Sequence, residues 1–236
     1  MCCLPELPRM TREKVDTPPS ARPSACGRSA LALAVWPSIM TLALTVLPVD
    51  PARAWVLTIA AGPKALFLQV GNGSYSGTYS SGGTPLNNAT INTVSVTVPA
   101  SQVGRGTAQA MTSNSTQSAS FYDNFAVCNP PAQVYVGGWV RTPNGSGSGT
   151  LSVTSPASLT SGTTTIPFTQ ISWTSTANGD ATADIPAGTF NGGTLALRTI
   201  AANNWVENCL TFSYANTLVV AAGTYAGQVT YSLVLP

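Results

Sequence analysis

Residues 221–236 read AAGTYAGQVTYSLVLP, and how that stretch folds decides the class of the protein. From Tyr225 the odd positions carry Tyr225, Gly227, Val229, Tyr231, Leu233 and Leu235, while Gln228, Thr230 and Ser232 fall between them. Successive side chains of a strand point to opposite faces, so this two-residue period marks a half-buried strand. A strand that runs to the last residues needs a neighbour to hold it. The spacing therefore predicts that the segment belongs to a sheet, with Tyr225, Val229, Tyr231, Leu233 and Leu235 turned toward a core.

Working back along the chain, the same alternation recurs in short pieces: WVLTI, KALFLQV, INTVSVTV, QVYVGGWVR, GTLSVTS, TIPFTQISWT, GTLALRTI and CLTFSYA. No stretch has the 3.6-residue apolar period of a helix. Between the candidate strands stand Asn-Gly pairs at Asn72, Asn144 and Asn178, read as hairpin turns, and clusters of Gly, Ser and Thr. About nine strands at this spacing predict an all-β, immunoglobulin-like antiparallel β-sandwich. A local echo links IPAGTFNGGTLAL, from Ile185, to VAAGTYAGQVTYSL, from Val220. It reads as a common strand entry, with glycine giving a bend and the aromatic filling a core, or as a duplicated unit.

The first 54 residues differ from the rest. They hold Arg9, Arg12, Lys14, Arg22, Arg28 and Arg53 of the 10 basic residues, an apolar run from Ala30 to Val49, and an Ala-Arg-Ala site at Ala52–Ala54. That order predicts a secretory signal peptide and leader over 1–54, with a single domain over 55–236. An uncleaved membrane anchor is the alternative, since the run is nearly long enough to span a bilayer. After cleavage no membrane span is expected, and the protein would reside in the periplasm, at the cell surface or outside the cell.

Downstream of Ala54 the charges are Lys64, Arg105, Arg141 and Arg198 against Asp123, Asp180, Asp184 and Glu207, a formally neutral set. Four scattered cations cannot neutralise a run of phosphates, which excludes nucleic-acid binding. Two cysteines remain in that part, Cys128 and Cys209. An even count in an oxidising compartment predicts one disulfide. A zinc site lacks ligands, because the chain has no histidine and no CxxC pair.

The missing histidine also removes Ser-His triads and most metal hydrolases. A glycosidase-type carboxylate pair is disfavoured, since Asp180 and Asp184 on one strand would stand about 13 Å apart. The alternate Asn178, Asp180, Thr182 and Asp184 faintly follow a calcium loop, but the glycine is at the wrong place and the closing glutamate is absent, so a hairpin tip is the better reading. No catalytic residue, metal site or cofactor is expected. Trp139 and Trp173 sit in apolar alternation and are assigned to the core. Trp205, with Asn203, Asn204 and Glu207 around it, has the make-up of a sugar-binding surface, an indole face beside amides and a carboxylate. The competing reading packs Trp205 over the neighbouring disulfide, as in other sandwiches.

Taken together, the strand-rich domain, the leader, the single disulfide and the terminal GTYAGQVTYSLVLP resemble bacterial surface β-sandwich proteins, above all subunits of chaperone-usher fimbriae. Such chains close with a Gly-Thr-Tyr-x-Gly-type entry into a final alternating strand. The resemblance implies an incomplete sandwich, completed first by a periplasmic chaperone and then by the N-terminal strand of another copy or related subunit. It makes Tyr225, Val229, Tyr231, Leu233 and Leu235 the strand-addition edge and WVLTIA the donor segment. The chain departs from the family in the placing of its cysteines and in having Leu235, not tyrosine, next to its end. The expectation is an exported, non-enzymatic fimbria-like structural subunit of adhesive surface type. The alternative is a secreted carbohydrate-binding module whose partner is a glycan, built on a self-complete sandwich.

Overall fold

The computed structural model describes residues 57–178 and 182–235. The expected leader and Asp180 lie outside them. The principal strands are β1 (Leu57–Thr58), β2 (Ala65–Val70), β3 (Val134–Arg141), β4 (Ser148–Thr154), β5 (Ser158–Ser161), β6 (Thr164–Pro167), β7 (Ile171–Ser175), β8 (Gly188–Thr189), β9 (Thr194–Ala201), β10 (Asn204–Tyr214) and β11 (Thr230–Val234). Every strand ladder is antiparallel, and the described chain is all-β. No described helix is long and apolar enough to cross a membrane.

The larger sheet runs β8-β7-β10-β3-β2, with β1 added to β10 through Leu57 opposite Trp205. The smaller sheet runs β9-β4-β11. Their inner faces meet in a core in which Val136, Val140, Leu151, Val153 and Leu210 are at most 1% exposed. Each of these sits at an alternate position of a strand, so the two-residue period seen in the sequence is what builds the sandwich. Glycines admit the terminal strand to this core. A Cβ at Gly149 would lie 3.2 Å from a Leu233 methyl and 2.7 Å from Val140 Cγ2, closer than side chains pack.

The segments of the sequence echo lead to the two flanks of one strand. The two copies lead into β9 and β11, which flank β4 in matching register: Thr154 pairs with both Thr194 and Thr230, and Val153 with both Leu195 and Tyr231. Each preceding aromatic, Phe190 or Tyr225, packs on the inner core. The echo is one residue out of phase with this register, since Phe190 stands four residues before Thr194 and Tyr225 five before Thr230.

Three local expectations are corrected. TIPFTQISWT is not one strand: Pro167 ends β6, a 3-10 turn spans Phe168–Gln170, and β7 begins at Ile171. In INTVSVTV only Val94–Ser95 forms a ladder, pairing with Thr112–Ser113. Asn144-Gly145 is not a hairpin tip. It connects β3 of the larger sheet to β4 of the smaller, and the left-handed φ of Gly145, 66°, serves a turn between layers, a conformation that suits glycine.

Candidate functional site

Two features merit functional attention, the C-terminal edge and the outer face of the larger sheet. Along the edge, β11 pairs with β4 from Thr230–Thr154 to Val234–Thr150. Upstream, Ala226 exchanges both backbone hydrogen bonds with Thr160 of β5, at 2.9 and 3.0 Å. Both contacts use one side of the terminal segment. Among the described residues its other side has no ladder. Tyr225, Val229, Tyr231, Leu233 and Leu235 pack against the inner core yet stay half-buried, while Gln228 and Thr230 are exposed. The face alternation is thus as expected. Leu68 and Val70 of β2, the edge of the opposite sheet, are likewise half-buried against the core. β11 and β2, the edge strands of the two sheets, come into contact.

The segment WVLTIA stands elsewhere. Leu57 and Thr58 form β1 on β10, Ile59 is 4% exposed, and its N–H donates to the Asn203 carbonyl at 2.8 Å. A segment already hydrogen-bonded within its own sheet is not free to serve as a donor. That correction removes this stretch, over its described part, from the donor role.

The outer face of the larger sheet carries a second core. On β10 the alternate residues Trp205, Glu207 and Cys209 lie opposite Trp139, Gly137 and Tyr135 of β3. Phe67 of β2 adds to them, 6.1 Å from Trp139 and 5.7 Å from Trp205 between ring centroids. Loops 71–86 and 118–128 roof this face with Tyr75, Tyr79, Phe121 and Tyr122. Tyr79 and Tyr122 each stand 5.4 Å from Trp205. The Cys128–Cys209 disulfide ties the roof to the sheet across 81 residues of chain.

Glu207 lies within this aromatic layer. Its Oε2 accepts hydrogen bonds from Tyr135 Oη at 2.7 Å, Ser120 Oγ at 2.8 Å and Trp205 Nε1 at 3.0 Å. Gly137 makes the first of these possible, since a Cβ there would lie 2.3 Å from the Tyr135 hydroxyl. Burial pushes the carboxyl above the ordinary glutamate value, with the nearby Asp123 charge adding to the rise and the three donors opposing it. The Tyr135 phenol is pushed well above its ordinary range by the same burial and by the Glu207 charge.

A raised carboxyl pKa means that the folded state holds its proton more tightly than the unfolded state does. Glu207 therefore costs stability as pH rises from the ordinary value of 4.5 through its folded value. Glu207→Gln keeps an acceptor for the three donors and carries no charge. The denaturation midpoint of the variant minus that of the natural protein should grow across that pH range and level off above it. A constant difference would mean that burial does not govern this carboxyl.

Of the residues singled out as a glycan surface, Trp205 and Glu207 line one cleft, while Asn203 and Asn204 are not among its lining residues. Trp205 is 3% exposed and packs in the outer aromatic core beside the disulfide, so only its margin lines the cleft. Asn203, 7% exposed, instead fixes the β3–β4 connection: its Oδ1 accepts the Thr142 N–H at 3.0 Å. Asn204 is a ladder residue opposite Val140 and Thr58. Trp173 and Trp139 are both core residues as assigned, Trp173 in the inner core and Trp139 in the outer aromatic core. The cleft that Glu207 and Trp205 line has a volume of about 320 Å³ and is lined as well by Asp123, Phe125, Asn178, Asp184 and Leu57. The roles of Ser120 and Tyr135 escape a sequence reading, although the alternation Tyr135-Gly137-Trp139 places aromatics on the face used by Trp205. Compared with family models, curated protein sequences and solved structures, the chain matches none, and the site is read from its own geometry.

Proposed function

We propose that this chain is an exported, non-enzymatic structural subunit that assembles by strand addition along the open side of its C-terminal strand. The observation that carries the reading is the edge of β11, paired on one side and lined by half-buried apolar side chains. An extended segment laid there gains main-chain hydrogen bonds and seats alternate side chains on the exposed core. The occupant is a strand of a second exported subunit, held before assembly by a periplasmic chaperone. Because residues 57–59 are engaged in their own sheet, the donor is a different stretch of the incoming chain.

An assembly that shares a full strand between subunits should survive SDS until it is heated. Exported protein run in SDS without boiling should show a ladder of multiples that collapses to one band on boiling. A single monomer band in both lanes would count against assembly by this route.

A further inference from the structure

The cleft beside Glu207 has a make-up that the structural role does not use. Phe125, 73% exposed, closes a short surface turn. That loop is tightly built: Ser120 N–H donates to the Phe125 carbonyl at 2.7 Å, Asn124 N–H to the Ser120 carbonyl at 3.0 Å, and Phe125 N–H to Asp123 Oδ1 at 3.0 Å. Asn124 completes it with a left-handed φ of 68°. A phenyl ring is thus presented to water on a braced support. Asp123, Glu207, Asn178, Leu57 and the edge of Trp205 line the same cleft. The nearby Asp184 is neutralised by Arg198 at 3.0 Å. Glu207 already has one oxygen held by three donors, so its remaining acceptor capacity is fixed in place.

We infer that this cleft binds a neutral sugar residue of a glycan, its C–H face on Phe125 and its hydroxyls donating to Asp123 and Glu207. A sugar ring is apolar on its faces and polar around its rim, and the cleft pairs one exposed aromatic with convergent acceptors and an amide in the same way. The volume is at the low end of ligand pockets, about 300–1,000 Å³, which suits one small ring. The exposed aromatic face is that of Phe125, with the largely buried Trp205 also lining the cleft, and this reading stands independently of strand addition.

The test uses the full chain and ligand-observed NMR with methyl glycosides of glucose, galactose, mannose and N-acetylglucosamine. At least one should bind saturably with a Kd on the order of 1 mM. Phe125→Ala and Asp123→Asn should each weaken it about tenfold or more, the size of one lost contact. Both positions are on the surface loop, and the asparagine keeps the acceptor for the Phe125 N–H, so unchanged thermal melting checks the fold. Val219→Ala, at an exposed apolar residue outside the cleft, should leave binding unchanged. The inference is overturned if no glycoside binds, if binding survives both loop substitutions, or if butylammonium or calcium chloride binds where the glycosides do not.

Discussion

Leu233→Asp is expected to unfold the domain, while Thr230→Asp on the same strand shifts its denaturation midpoint little. Leu233 enters the space that Gly149 leaves against Val140 and packs on the inner core. Losing that apolar burial and setting a carboxylate in its place should together cost more than about 3 kcal/mol. Against a domain stability of about 5–15 kcal/mol, that is a large share. Val229→Asp should act in the same direction. Thr230 and Gln228 are exposed, and a surface charge there should stay within about 0.5 kcal/mol. Truncation before Thr224 removes β11 and the Ala226–Thr160 pairing together, and should abolish soluble export. Equal tolerance of the two sets of substitutions in urea titrations would mean that the terminal strand contributes nothing to the core.

Replacing Cys128 and Cys209 by serine should produce the second large loss. The bond spans a sequence separation of 81 residues, for which loop-closure entropy gives about 4.5 kcal/mol. Native packing adds to this, because Cys209 is fully buried among Trp205, Tyr135 and Trp139, and a hydroxyl there must be satisfied. The roof loop should suffer first, since Cys128 is its anchor to β10. Limited proteolysis should therefore cut between residues 118 and 128 in the double variant before it cuts the sandwich. Alkylation of the unreduced natural protein should label neither cysteine. Cleavage elsewhere, or a variant as stable as the natural protein, would show that the roof is held by its aromatic contacts alone.

The fold was legible because its signal is local. Alternation within 225–235, 148–154 and 194–201 depends only on the side-chain period of a strand, and those segments form one sheet. The disulfide was legible by counting thiols. The second core was not, because its roof comes from loops rich in Gly, Ser and Asn that show no periodicity, and its members are brought together by pairings between β2, β3 and β10. Trp205 illustrates the difference. Asn203, Asn204 and Glu207 make its neighbourhood look wet in sequence, yet Glu207 shares the indole's face and accepts its N–H, while Asn203 turns to the β3–β4 connection. The open cleft was equally hidden, since Phe125 and Asp123 are far in sequence from Glu207. The donor role of WVLTIA failed for a related reason. Its Leu57 and Ile59 alternate as a donor's would, but they have a site within their own sheet.

The open edge of β11 is the central claim, and amide hydrogen exchange across residues 226–235 tests it most directly. In the monomer, amides that donate to β4 or to Thr160 should be protected, and the alternate amides facing the open side should exchange at nearly free rates. In the detergent-resistant multimer the alternate set should become protected as well, while β2, β3 and β10 remain unchanged. Full protection of both sets in the monomer, or no gain on assembly, would contradict an edge that awaits a partner strand.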